Sequence, residues 1–195
     1  MISISKHIDL VVKLALADVL KAAGFKKQAR TFRRVEADGS LSIINVQADK
    51  YNEGSRGAFV VNLARYIPEL ADMAGETRLE KPGEEHGHFR ARLGHVMGHL
   101  HDVDWMLDAH SDDAAIAAEL RAAVVNHGLP WLDSLLLENF KRAGADFHSV
   151  PGGKPDGGRL YAAGFYWLAG EAEKARETLL LEIEHAPQRA ARARE

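Results

Sequence analysis

The spacing of apolar residues near the start of the chain predicts an amphipathic helix over residues 6–23. Apolar residues recur there every three or four positions, at Ile8, Val12, Ala15, Leu16, Val19, Leu20 and Ala23. Gly24 follows, and glycine is common directly after the end of a helix because it adopts a left-handed backbone conformation at little cost. A helix with one apolar side needs a surface to cover it, so we expect it to pack on another element.

Three segments rich in alternating apolar residues predict strands at about 30–36, 41–48 and 58–66. The first two are joined by the turn at 37–40 and the last two by the glycine-containing segment 49–57. Short connections of this kind favour an antiparallel meander. Side chains alternate between the faces of a strand, so one face of the sheet is expected to cover the first helix, through Ile44, Val46, Phe59, Val61 and Leu63.

A fourth strand is predicted inside a histidine-rich segment that spans residues 85–105. The polar residues His88, Arg90 and Arg92 alternate there with apolar ones, and Gly94 ends the pattern. The preceding segment, residues 67–85, contains two prolines and two glycines, so we interpret it mainly as a connection with a short helix around 68–74.

The remainder of the chain has the apolar spacing of helices. Ser111 is the predicted N-cap of a helix that ends near Gly128, and Pro130 is predicted to start another that runs to Gly144. Residues 159–169 and 171–185 predict a helical hairpin that breaks at Gly170. The pattern at residues 163–175, which spans both arms, is similar to half of a tetratricopeptide-type repeat, but no second copy occurs, so we interpret the hairpin as a flank or lid.

These elements predict an α+β fold in which a small antiparallel sheet of about four strands packs on an N-terminal helix and is followed by C-terminal helices. The predicted organisation is an α+β core domain at 1–144, a flexible loop at 145–158, a helical hairpin packed on the core at 159–187 and a frayed tail at 188–195. A chain of 195 residues can bury one core without a metal or disulfide.

Composition narrows the classes of function. The formal charge is −3, from 25 basic and 28 acidic residues, which argues against nucleic acid as the main partner. The absence of cysteine excludes disulfides, thiolate catalysis and zinc sites built on sulfur. The first residues lack the pattern of a secretory signal and no apolar run approaches about 20 residues, so we expect a soluble cytoplasmic protein without membrane association. No phosphate-binding loop, nucleophile elbow or serine triad is recognisable, so an enzyme hypothesis rests on the histidines alone.

The side-chain alternation of the four strands predicts a polar sheet face. The candidate binding residues on that face are Asn45, Gln47, Asn62, His88, Arg90 and Arg92. Arginine presents a planar fork that matches carboxylate or phosphate, and neighbouring amides can fix its orientation. We therefore expect a non-enzymatic binding or interaction domain whose partner is a protein or a small anionic ligand. The alternatives are a solvated face and a face covered by the C-terminal helices.

The second hypothesis is a divalent metal site formed by His95, His99, His101 and Asp102. On a helix, His95 and His99 would lie one turn apart, as in a zinc-binding pair. The internal glutamate of a zincin is absent, and Gly94 and Gly98 disfavour a helix, although an extended loop would still be able to gather these ligands. This pattern predicts a metal-dependent hydrolase or metal-binding protein as the alternative function, and otherwise an exposed connector. No other cofactor is predicted.

Several local patterns keep a shared order and spacing along the chain. They lie at residues 24–32, 44–47, 59–63, 88–94, 102–105 and 128–132. In this order they resemble, over about residues 16–133, the bacterial family catalogued as domain of unknown function 4304 (DUF4304). The resemblance implies an α+β fold with a small antiparallel sheet. The family is uncharacterised and provides no established catalytic residues to assign here.

Overall fold

A computed structural model of the protein describes residues 3–144 and 159–192, with side chains described up to residue 184. The predicted flexible loop at 145–158 and the last three residues of the predicted tail lie outside the described residues. Helix α1 spans Ile4–Ala22. Its buried side consists of Ile4, Ile8, Val11, Val12, Ala15, Leu16 and Leu20. Gly24 ends it with a left-handed φ of 84°, as the sequence predicts.

The sheet contains six antiparallel strands within the described residues. They are β1 Lys26–Gln28, β2 Thr31–Val35, β3 Leu41–Ala48, β4 Gly57–Tyr66, β5 Phe89–Arg92 and β6 Trp105–Leu107. The first five pair in chain order, and β6 pairs with β4 at residues 57–59. Since β3 occupies one edge of β4, β5 and β6 share the other. The α+β prediction is confirmed, and the strands beyond the predicted four are the three-residue β1 and β6, which are too short to show an alternating pattern.

The two faces of the sheet differ in what covers them. The predicted apolar face packs against α1, and Ile44, Val46 and Leu63 belong to the same buried cluster as Ile8 and Leu16. On the other face, Leu41, Ile43, Ala64 and Tyr66 form a smaller apolar cluster at one end. Ala71 of α2, which spans Pro68–Met73, covers this cluster. The polar candidates on that face lie toward its other end.

The helices after β5 match their predicted positions only in part, because the single turn at Leu93–Val96 is not predicted and the helix predicted from Pro130 to Gly144 is interrupted at residues 135–136. They are the single-turn α3 Leu93–Val96, α4 Asp113–Ala123, α5 Leu129–Ser134 and α6 Leu137–Ala143. A π-helical turn, Val124–Gly128, connects α4 directly to α5, so the backbone stays helical where the sequence predicts a break. Gly128 is buried there, and a Cβ at this position would lie 3.4 Å from a methyl carbon of Leu93. That distance is an ordinary van der Waals contact and the backbone continues as a helix, so neither packing nor helix termination requires glycine at this position.

The N-cap of α4 is Asp112, and the prediction of Ser111 is wrong by one residue. One carboxylate oxygen of Asp112 accepts hydrogen bonds from the backbone N–H groups of Ala114 and Ala115, each at 3.0 Å. The Ser111 hydroxyl instead accepts a hydrogen bond from the Asp108 N–H at 2.7 Å. Both residue types suit an N-cap, so the sequence alone does not separate neighbouring candidates.

The C-terminal hairpin consists of α7 Arg159–Leu168 and α8 Ala172–Arg192. Gly170 turns the chain between them with a φ of 81°. Phe165 of α7 is fully buried, and its ring meets those of Phe89 and Phe140 edge to face at centroid distances of 5.0 and 4.9 Å. α8 continues through residues 188–192 of the predicted tail.

Candidate functional site

Four of the predicted binding residues form one hydrogen-bonded cluster across three strands. Asn45 lies opposite Asn62, and Asn62 lies opposite Arg92 in the strand register. The Asn62 amide nitrogen donates to Gln47 Oε1 at 3.0 Å and to Asn45 Oδ1 at 3.3 Å. Asn62 is only 4% exposed, so its bonds to side chains of the sheet satisfy a group that burial would otherwise leave without water.

Arg92 is the charged residue of this cluster, and it is partly exposed. Its Nη1 donates to Asn62 Oδ1 and, at 3.2 Å, to Gln47 Oε1. Its Nε lies 3.5 Å from Asp102 Oδ2, and its Nη2 has no hydrogen-bond partner among the described residues. The side chain keeps 33% of its surface exposed. One edge of the guanidinium is therefore anchored while the other faces solvent.

Arg90 joins the cluster through an acidic bridge. Glu84, in a 3-10 turn at Glu84–His86, accepts from Arg90 Nη2 at 3.1 Å through Oε2. Its other oxygen lies 3.4 Å from the Asn62 amide nitrogen. We use the name polar face for the five residues that this network connects: Asn45, Gln47, Asn62, Arg90 and Arg92.

A depression of about 390 Å³ adjoins the polar face. It lies where β5 and β6 leave a gap along the edge of β4, beside Val60. Its charged lining consists of two cations and three carboxylates: Lys50, Arg92, Asp49, Asp102 and Asp104. Asp102 and Asp104 come from the connection between α3 and β6. The depression therefore offers both donors and acceptors to a ligand.

His88 lies on the same side of the sheet but apart from the polar face. It is 3% exposed, stacks on Tyr66 at a centroid distance of 5.2 Å and meets Tyr161 of α7 edge to face at 4.9 Å. Its Nδ1 accepts a hydrogen bond from the Ile67 N–H at 3.0 Å. Burial lowers the pKa of His88 to about 4, which Glu76 opposes only in part, so the ring is neutral near pH 7.

The metal candidates come together only in part. His95 Nε2 lies 3.5 Å from Asp102 Oδ1. His99 and His101 are exposed, and Gly98, with a φ of 91°, ends the helical turn between His95 and His99. No group of three or more His, Asp or Glu side chains arranged to hold a metal ion occurs in the part of the chain that the structure describes. The metal hypothesis stays a prediction.

Arg65 is a buried charged residue that the sequence analysis missed. It follows Leu63 on the core-facing side of β4, is fully buried, and lies 3.3 Å from Glu36 Oε1 through its Nη1. The same Nη1 donates to Ser40 Oγ at 3.0 Å, and Nη2 donates to the carbonyl oxygen of Leu132. Burial lowers the pKa of Arg65 and the nearby carboxylates oppose that shift. The alternation of side chains along β4 predicts that Arg65, like Leu63, faces the core. The sequence therefore contained the information needed to find this residue.

Comparison with known proteins gives a family but no function. A family model described as a domain of unknown function (DUF4304) matches residues 16–134. Neither a curated protein nor a solved structure matches the chain. None of the helices that the structure describes is long and apolar enough to cross a membrane. The match runs from the middle of α1 to the last residue of α5 and includes the whole sheet, so the chain belongs to the DUF4304 family.

Proposed function

We propose that this protein is a non-enzymatic binding domain whose polar face holds an acidic group of a protein partner or a small anionic ligand. The observation that supports this most directly is the orientation of Arg92. Two amide side chains hold its Nη1, which leaves Nε and Nη2 as donors on an arginine that lines the depression. These two nitrogens form the edge of a guanidinium that binds a carboxylate with two parallel hydrogen bonds.

Asp102 occupies this edge in the absence of a partner. Its Oδ2 lies 3.5 Å from Arg92 Nε, which is longer than the 2.7–2.9 Å typical of a charge-assisted hydrogen bond, and its side chain is 41% exposed. An exposed ion pair of this kind contributes little, about 0–1 kcal/mol. An incoming carboxylate can therefore displace Asp102 at small cost.

The other charged groups define which anion fits. Lys50 adds a second cation at the depression, whereas Asp49 and Asp104 add carboxylates. A ligand that carries a hydrogen-bond donor beside its acidic group satisfies both kinds of side chain. A nucleic acid backbone carries only negative charge and meets these carboxylates unfavourably. The cytoplasmic location expected from the sequence remains part of this proposal.

The proposal is tested by titrating the protein with sodium acetate and following the Arg92 Nε–H resonance by NMR. We expect a saturable shift that is absent in Arg92→Ala. Asp102→Asn removes the competing carboxylate and should strengthen acetate binding several-fold. Arg121→Ala, at an exposed position on α4, is the matched control and should leave the titration unchanged.

Two results would contradict the proposal. One is an acetate response that survives in Arg92→Ala, since binding would then take place elsewhere. The other is an unchanged or weaker response in Asp102→Asn, since Asp102 would then not compete for the arginine. Near-UV circular dichroism of each variant shows whether its tertiary packing is retained.

A further inference from the structure

A second cavity, of about 350 Å³, lies at the end of the sheet opposite the polar face. Its walls come from β4, from the connection after α2, from the 3-10 turn and from α7. The side chains that matter for its chemistry are Tyr66, Glu76, Glu85, His88 and Tyr161. No lysine or arginine of the described residues lines it. The cavity thus combines aromatic rings with two carboxylates.

His88 provides an unused hydrogen-bond donor at this cavity. Its Nδ1 accepts from the Ile67 N–H, so the proton of the neutral ring is on Nε2. Nε2 has no hydrogen-bond partner within the described residues, and it is not among the fully buried polar atoms, so on an otherwise buried residue this nitrogen is open to the cavity. A ligand oxygen in the cavity can therefore accept a hydrogen bond from Nε2–H.

Among the residues that the structure describes, no lysine or arginine lines the cavity to pair with its two carboxylates. The Tyr161 hydroxyl donates to Glu76 Oε1, which raises the pKa of Tyr161 to about 12 and leaves Glu76 Oε2 for another donor. Glu85 lies 3.4 Å from His86 Nδ1, but that nitrogen accepts a hydrogen bond from the Gly83 N–H and so has no proton to give. The local charge is therefore negative.

This chemistry excludes two classes of ligand. An anion would be repelled by Glu76 and Glu85. A transition metal would need an unprotonated ring nitrogen, and freeing Nε2 of His88 would move its proton to Nδ1 and break the bond to Ile67. An organic cation fits, because carboxylates and aromatic rings both attract positive charge.

We propose that this cavity binds a small amine that carries a hydroxyl or carbonyl oxygen close to its ammonium group. Glu76 holds the ammonium group, and His88 Nε2–H donates to the oxygen. Glu85 adds long-range attraction at the rim, where its side chain is 62% exposed. This site is separate from the polar face, and its existence does not depend on the function proposed for Arg92.

Three probes of equal size test the two interactions separately. Ethanolamine carries both the ammonium and the oxygen, n-propylammonium lacks the oxygen, and 1-propanol lacks the charge. Each is titrated into the full-length protein while the ring resonances of His88 and Tyr161 are followed by NMR. We expect saturable shifts with ethanolamine, weaker binding of n-propylammonium and no saturable shift with 1-propanol.

Glu76→Gln and Glu80→Gln form a matched pair of variants. Both remove one exposed carboxylate, but Glu80 does not line the cavity. We expect Glu76→Gln to weaken ethanolamine binding by at least about tenfold, the effect of losing a charge-assisted hydrogen bond, and Glu80→Gln to leave it unchanged. Equal responses to ethanolamine and 1-propanol, equal affinity in the two variants, or no saturable shift up to about 100 mM would overturn the proposal.

Discussion

The three arginines on β4 and β5 show how alternation of side chains decides the role of a residue. Arg65 and Leu63 share the core-facing side of β4, whereas Arg90 and Arg92 lie on the opposite face. The first is enclosed and depends on Glu36, while Arg92 keeps a third of its surface exposed. Arginines on the two faces of one sheet thus have a structural role in one case and a proposed binding role in the other.

At the residue scale, His88 should make the stability of the protein depend on pH. The unfolded chain binds a proton at His88 with a pKa near 6.5, whereas the folded protein does so only near 4. The unfolded state therefore takes up more protons between these values, and the free energy of unfolding should decrease as the pH falls from about 6.5 to about 4. The expected loss from this residue is roughly 3 kcal/mol.

Urea denaturation at several pH values measures this effect. A substitution of His88 separates its contribution from that of the carboxylates in the protein. His88→Gln keeps an acceptor for the Ile67 N–H but cannot take up a proton, so its stability should vary less with pH. His127→Gln, at an exposed position, should keep the dependence of the unmodified protein. Identical pH dependence in all three proteins would show that His88 is not responsible.

At the element scale, α7 determines how the end of the sheet is covered. It brings Tyr161 against His88 and Phe165 against Phe89 and Phe140. The sequence predicts the helix. It does not predict that Tyr161 contacts His88 or that Phe165 contacts Phe89, because the residues of each pair are more than 70 positions apart in the chain. The sequence alone leaves open whether the hairpin covers the polar candidates. In the structure, Tyr161 covers His88, while the depression beside Arg92 stays open.

Phe165→Ala tests whether this hairpin belongs to the same cooperative unit as the sheet. Removing a fully buried aromatic ring should lower the free energy of unfolding by about 3–5 kcal/mol, with a single transition in urea. Trp167→Ala is the control on the same helix, because Trp167 is 61% exposed and should cost much less. A separate early transition for Phe165→Ala would instead indicate a hairpin that unfolds independently.

At the scale of the whole molecule, the Arg65 network joins parts that are far apart in sequence. Glu36 follows β2, Arg65 lies in β4, and the Leu132 carbonyl belongs to α5. Ser42 Oγ on β3 also donates to Glu36, and Arg34 connects Glu36 to Asp133. The network therefore fixes α5 against the sheet near the end of the DUF4304 match.

Glu36→Gln should destabilise the whole fold. The substitution leaves the guanidinium of Arg65 buried without its closest carboxylate, and breaking a buried ion pair typically costs about 3–5 kcal/mol. Glu119→Gln makes the same charge change at an exposed position on α4 and should alter stability by less than about 0.5 kcal/mol. The stabilities of the two variants are compared by thermal and urea denaturation. Equal stability would show that the network does not stabilise the fold.

The sequence by itself determined the elements that have a clear period, namely α1, β2 to β5 and the C-terminal helices, and the face of the sheet on which each polar candidate lies. These follow from backbone geometry, which fixes the direction of a side chain once its element is known. It did not determine β1 and β6, which are three residues long, or the choice between Ser111 and Asp112 as N-cap.

Only the tertiary structure decided what each face contacts. It enclosed Arg65 beside Glu36, placed His88 under Tyr161, and brought Gln47, Asn62 and Arg92 together at an open depression. It also ended the helical turn that contains His95 before the chain reaches His99, with a left-handed φ at Gly98. These outcomes depend on contacts between residues that are distant in the chain, and a local pattern of hydrophobic and polar positions contains no information about such contacts.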